Sequence, residues 1–210
     1  MRRTLLVLQF TLFAACDRTP EPAAPPPAVP TTPNPPATPE AQPVPNPNQA
    51  NLFTSSDGLV AAPRPAGEGW ECVEQTATDP GAEATLIKCR RTDRSRFFFL
   101  MAKDYVVPPE QVRPAGDLAD KVFPATYDKL FQSHRVASST AVSHAGLPAH
   151  ELQIEAVHAS MGPIRKRERV VVKDTHVFVI SAEGKPEVFD AEEATIDAWF
   201  AGAAFKHAGS

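Results

Sequence analysis

Apolar side chains fall along this chain in two different rhythms. From Phe97 to Ala102 the sequence reads FFFLMA, and Val170-Val171-Val172 and Val177 to Ile180 are apolar in the same unbroken way. Strands covered on both faces become continuously apolar, whereas strands with one wet face alternate. These runs predict the centre of a sheet with helices on both sides. Glu151 to Val157 alternates, with Leu152, Ile154 and Ala156 on one face and Glu151, Gln153 and Glu155 on the other, which predicts a strand with one wetter face. Between Asp117 and Ser133, Leu118, Val122, Phe123, Tyr127, Leu130 and Phe131 stand at helical spacing, and Pro124 is expected to kink or divide that helix. A last helix is predicted from Asp190, with Asp190 and Glu193 in a capping-box pattern and Phe189 before them as a staple. Its apolar stripe is Ile196, Trp199, Phe200 and Ala203. The order of elements is two or three strands, the FFFLMA strand, a helix, four strands and a final helix.

Composition divides the chain into three parts. Thirteen of the 23 prolines lie between Pro20 and Pro47. From Asp17 to Ala50 there is no aromatic residue and almost no large aliphatic one, so this stretch is expected to be a disordered tether rather than a core. Proline at this density favours polyproline II, with a reach of about 3.1 Å per residue, on the order of 100 Å when fully extended. Residues 51–210 have the size of one ordinary domain with its own hydrophobic core. A net charge of −4, from 21 basic and 25 acidic side chains, argues against a large nucleic-acid surface.

Ahead of the tether, Met1-Arg2-Arg3 is followed by the apolar run TLLVLQFTLFAA and then Cys16. A charged start and a short apolar run ending in small residues read as a signal peptide, too short to be a spanning helix. LFAAC resembles a bacterial lipobox, in which the Cys is acylated and becomes the new N-terminus, so residues 1–15 are expected to be removed and Cys16 to carry lipid. Several acyl chains on one Cys anchor far more firmly than one, at about 0.8 kcal/mol per buried methylene. The Arg2-Arg3 pair leaves both the general secretory and the twin-arginine export routes open. Asp17 resembles an inner-membrane retention signal, and neither the inner nor the outer membrane is fixed. The expected address is the bacterial cell envelope, lipid-anchored, facing the periplasm or the cell surface.

Of the three cysteines, Cys72 and Cys89 then remain as a pair in an oxidising compartment. Asp79-Pro80-Gly81-Ala82 lies midway between them as a strong turn signal. A hairpin closed there sets Cys72 opposite Cys89 at a non-hydrogen-bonded site, with Cα atoms about 4.5 Å apart, close enough for a disulfide.

The order of elements, Gly69-Trp70 leading into the first hairpin, GLPAHELQIEA at Gly146 to Ala156, and the closing RERVVVKDTHVFVISA and FDAEEATIDAWFAGAAF segments resemble the PsbP-like family over residues 53–207. That family includes photosystem extrinsic subunits, a nuclear-import cofactor and many bacterial envelope lipoproteins. The resemblance implies an α+β fold, an antiparallel sheet sandwiched between helices. It also implies a domain that binds proteins or ligands rather than catalysing, and it carries over no functional residue.

Chemical signatures are sparse. No GxSxG, Walker loop, GxGxxG or CxxC occurs, so no catalytic residue and no cofactor is expected. His150-Glu151 begins like a zincin motif, but Ile154 stands where the second His is required. His150 and His158 share a strand face about 26 Å apart, too far for one metal, and His134 and His144 are read as surface or strand-end residues. Arg165-Lys166-Arg167-Glu168-Arg169 is the densest positive cluster, and Arg165, Lys166 and Arg167 are the candidate contacts to an anionic surface. The competing reading is a solvated edge strand kept from aggregating by its charge. Asp190, Glu193 and Asp197 make an acidic stripe on the last helix. The expected function is a non-catalytic envelope lipoprotein that binds or scaffolds a protein partner. The alternative is a carrier holding a small apolar ligand or lipid between sheet and helix.

Overall fold

The computed structural model describes residues 51–79, 82–92 and 97–206. The expected signal peptide, Cys16, the expected proline-rich tether and the expected Pro80-Gly81 turn lie outside the described residues. Strands β1 (Leu52–Thr54) and β2 (Val60–Pro63) come first, followed by β3 (Trp70–Asp79), β4 (Ala82–Arg91) and β5 (Phe98–Val106). A helical segment comes next: α1 (Ala115–Asp117), a π-helical turn (Leu118–Val122) and α2 (Phe123–Leu130). Four long strands follow, β6 (Ser133–His144), β7 (Leu147–His158), β8 (Gly162–Lys173) and β9 (His176–Gly184). Two helices, α3 (Pro186–Ala191) and α4 (Glu193–Gly202), and the short β10 (Ala204–Phe205) close the domain. The main sheet has seven strands in the order β3-β4-β5-β9-β8-β7-β6, and every pairing in it is antiparallel.

Continuously apolar strands do occupy the middle. On β5, Phe98, Leu100 and Ala102 are fully buried with Ile180, Ala182, Ile196, Trp199 and Phe200 on one side of the sheet. Phe97 and Phe99 pack on the other side with Ala119, Tyr127 and Phe131. β9 is split the same way, with Val177 and Val179 against Leu118 and Phe178 and Ile180 on the opposite face. β7 keeps the wetter face its alternation predicts, with Leu152, Ile154 and Ala156 buried and Gln153 and Glu155 exposed.

Three details differ from the sequence reading. The first helix ends at Leu130 rather than Ser133, and its interruption is a π-turn directly before Phe123-Pro124, where the proline occupies an early helical position that needs no N–H donor. The last helix does not begin at Asp190. Pro186 opens α3, and the chain breaks at Glu192 (φ −105°, ψ 15°) before α4. The break has a long-range cause: Glu192 is buried against Arg91 at the end of β4, and its second carboxylate oxygen accepts a 2.9 Å bond from Thr195 Oγ1. Phe189 packs edge-on to Phe98, centroids 6.4 Å apart, as part of the core. The third difference is the small β1-β2-β10 sheet, whose strands of 2–4 residues are too short to show a period.

In the β3–β4 hairpin Asp79 pairs with Ala82 and Cys72 with Cys89, the register expected from the turn. The two cysteines are joined by a disulfide with Cα atoms 4.0 Å apart. Cys89 belongs to the main core while the β3 strand it secures lies at the sheet edge, so the bridge ties an edge strand to the interior. Replacing both cysteines by Ser is expected to lower stability by about 3 kcal/mol for a crosslink spanning this loop. Parallel denaturant titrations measure the loss, and alkylation of unreduced wild-type protein is expected to label neither position.

Candidate functional site

β8 pairs with β7 on one side and β9 on the other, so the basic cluster lies inside the sheet, and the edge-strand reading of it does not hold. Alternation sends its members to opposite faces. Arg165, Arg167 and Arg169 point towards α3 and α4, and Lys166 and Glu168 towards α2. The three candidate contacts therefore do not share a surface.

Each is met by acid. Arg165 pairs with Asp190 on α3. Arg167 bonds Glu151 Oε1 at 2.8 Å and Asp197 Oδ1 at 2.6 Å. Arg169 reaches Glu151 Oε2 through Nε at 2.9 Å and Nη2 at 2.6 Å, and the guanidiniums of Arg167 and Arg169 lie 4.5 and 5.2 Å from the Phe200 ring centroid. Asp190 and Asp197 of the acidic stripe thus face the basic strand. On the far side Lys166, with 10% of its side chain exposed, lies 2.5 Å from Glu168 and 3.7 Å from Glu183, and the Tyr127 hydroxyl donates to Glu168 at 3.1 Å. Burial works against the Lys166 charge, but the two glutamates outweigh it and raise its pKa. Burial and the Glu168 charge push the Tyr127 phenol far above its usual range.

A cleft of about 340 Å³ opens beside this layer, lined by Arg165, Arg167, Gln153, Glu155, Asp190 and Glu193. It is charged of both signs. The space between the sheet and α4, where a carrier would hold an apolar ligand, is filled by Phe98, Phe178, Ile180, Ile196, Trp199 and Phe200, each at most 1% exposed.

One set of side chains converges that the sequence does not bring together. Ser139 on β6 donates to Asp120 Oδ1 at 2.7 Å, and its Oγ lies 2.7 Å from His150 Nε2 on β7. In a hydrolytic triad the carboxylate holds the imidazole nitrogen opposite the one that serves the serine. Here Asp120 sits 3.9 Å from that same Nε2, and Nδ1 faces Gly116, where an added Cβ would come within 3.5 Å. The serine proton goes to the carboxylate, so the imidazole is not set to receive it. His158 sits elsewhere, against Phe97 and Phe131, and no metal-holding cluster occurs among the described residues.

A seven-stranded antiparallel sheet with a π-interrupted helix on one face and a terminal helix pair on the other defines the class of protein: the chain has a PsbP-like fold. It is similar to the solution structure of cyanobacterial PsbP (CyanoP) from Synechocystis sp. PCC 6803, with a TM-score of 0.55 and 12% identity over 74% of this chain and 91% of that one. It also matches a crystal structure of PA94 from Pseudomonas aeruginosa, described as a protein of unknown function and putative regulator (TM-score 0.40, 12% identity, 75% and 97% coverage). A third match is LpqN of Mycobacterium tuberculosis, described as involved in cell envelope biogenesis (TM-score 0.43, 12% identity, 74% and 90% coverage). No family model and no curated protein matches the sequence.

The two halves of the basic cluster are expected to respond differently to mutation. Arg165 is 43% exposed, so Arg165→Gln is expected to change stability by no more than about 1 kcal/mol. Lys166→Gln leaves the buried Glu168, and the half-buried Glu183 beside it, without their counter-charge and is expected to cost about 3 kcal/mol or more. Urea unfolding of the two variants beside the wild type measures the contrast.

Proposed function

We propose that this chain is a lipid-anchored, non-catalytic protein of the bacterial cell envelope whose tethered domain binds or scaffolds a protein partner. The observation that carries the reading is the division of labour among the three cysteines. The Cys72–Cys89 pair is bridged, as suits an oxidising compartment, which leaves Cys16 in its lipobox-like setting as the acylation site. A proline-rich tether then separates the anchor from the domain and gives it reach from the membrane. No helix among the described residues is long and apolar enough to cross a bilayer; in this reading the attachment is the lipid on Cys16.

The fold supports a binding role through its surface rather than its interior. The main apolar layers are packed, and the buried charges of β8 are satisfied within the domain. Arg165, Lys166 and Arg167 are therefore poorly placed for a bare anionic surface, because each already holds an acid. The Ser139–Asp120–His150 group lacks the relay a hydrolase uses.

Wild-type protein is expected to stay in the membrane fraction through a high-salt wash, and chemical crosslinking followed by pull-down is expected to recover an envelope protein. Cys16→Ser should move the protein to the soluble fraction. A Ser variant that remained with membranes would show that the anchor lies elsewhere, and a catalytic turnover traced to the purified domain would overturn the non-catalytic reading.

A further inference from the structure

The main sheet ends at β3 on one side and β6 on the other, and the two edges are built differently. β3 carries Glu71 and Glu74, and Glu74 accepts bonds from the Ser56 backbone N–H at 2.9 Å and its hydroxyl at 2.7 Å, so the preceding loop lies along that edge. Charges and covering loops are the usual protection against strand-to-strand association. β6 has Arg135 and a bulge between Val136 and Ser138 in its first half only. Its second half, Ser138 to His144, carries no Asp, Glu, Lys, Arg or Pro, and Ser139, Thr140, Ala141 and Ser143 are exposed. Among the described residues no strand pairs with its outer side.

The direction of its free backbone groups follows from the hairpin. Ala145 (φ 50°) and Gly146 (φ 80°) form a two-residue turn with both φ angles positive, as in type I′. Such a turn is closed by a hydrogen-bonded pair, here His144 with Leu147. Alternation then turns Val142, Thr140 and Ser138 inward to β7, and leaves the N–H and C=O of Ser143, Ala141 and Ser139 pointing outward.

We propose that this half of β6 is a dimerisation edge, at which Ser138–His144 of one copy pairs antiparallel with the same residues of a second copy about a two-fold axis through Ala141. In that register Ala141 meets Ala141, Ser139 meets Ser143 and Thr140 meets Val142. Outward groups meet outward groups, giving about six backbone bonds, two for each hydrogen-bonded pair. Side chains of similar size face each other and no like charges are opposed. A two-fold interface of this kind is self-complementary by construction. A foreign strand added to an edge gains specificity from pockets for its alternate side chains, and Ser and Ala offer none, which favours a second copy as the occupant. One strand pairing buries little area, so the dimer is reversible and concentration-dependent.

Sedimentation of the exported Cys16→Ser chain over a concentration series tests the proposal, with dimerisation expected in the micromolar range. Ala141→Lys places two ammonium groups face to face on the axis and is expected to weaken the dimer by about tenfold or more. Ala141→Cys is expected to form an intermolecular disulfide under oxidation, whereas Thr140→Cys, opposite Val142, does not. The cysteine pair decides the matter even where the Lys variant folds poorly. A wild-type chain that stays monomeric at millimolar concentration, a Lys variant that dimerises as well as wild type, or equal crosslinking from positions 140 and 141 would each overturn it. A monomer with position 141 inaccessible to thiol reagents would mean that another segment of the chain covers the edge, and would overturn it equally.

Discussion

Five consecutive charged residues on an interior strand are the constraint around which this domain is arranged. Charges removed from water must be paired and hydrogen-bonded, or the fold bears a cost of several kcal/mol for each. Because strand side chains alternate, Arg165 to Arg169 load both faces of the sheet, and both covering layers have to supply partners. Glu151 on β7, Asp190 on α3 and Asp197 on α4 meet the arginines. Glu168, Glu183 and the Tyr127 hydroxyl meet Lys166 or one another on the other side. Phe200 seals the arginine side by lying against two guanidiniums, so one residue serves both the apolar stripe of α4 and the charged layer beneath it. The helices are thereby fixed in place along the strand, which apolar packing alone would specify less sharply.

The same logic explains the break between α3 and α4. A single continuous helix from Pro186 would carry Glu192 around with the helical period. Instead the chain turns so that Glu192 meets buried Arg91, which also lies 5.4 Å from the Trp70 ring centroid. This ties the end of the β3–β4 hairpin to the terminal helices. The disulfide lies two residues further along the same face of that hairpin, so the edge of the sheet most remote from β8 is secured by one covalent and one ionic link.

What could be read from the sequence was whatever depends on local spacing. FFFLMA and the two valine-rich runs announce burial on both faces because apolar residues occupy both parities. Pro80-Gly81 sets a register that can be counted outward to Cys72 and Cys89. Lys166 could not be read as largely enclosed, nor Glu192 as a break, because each depends on a partner distant in sequence: Glu183 for one and Arg91 for the other. Asp190 and Glu193 have the spacing of a capping box, but Pro186 opens a helix earlier and Asp190 is taken by Arg165. Ser139, His150 and Asp120 meet only because the β6–β7 register and the π-turn bring three separate segments together, and no motif marks them. The edge character of β6, likewise, follows from strand order and not from the strand's own composition.

A double-mutant cycle between Glu151 and Arg169 tests most directly whether the charges of β8 organise the domain. Glu151→Gln, Arg169→Met and the double variant would be compared with wild type by denaturant unfolding. Pairing that supports the fold predicts a coupling of about 2 kcal/mol, with the double variant far more stable than the sum of the single losses allows. Losses that simply add, with no coupling between the two positions, would contradict the account and return the basic strand to the surface role its sequence first suggests.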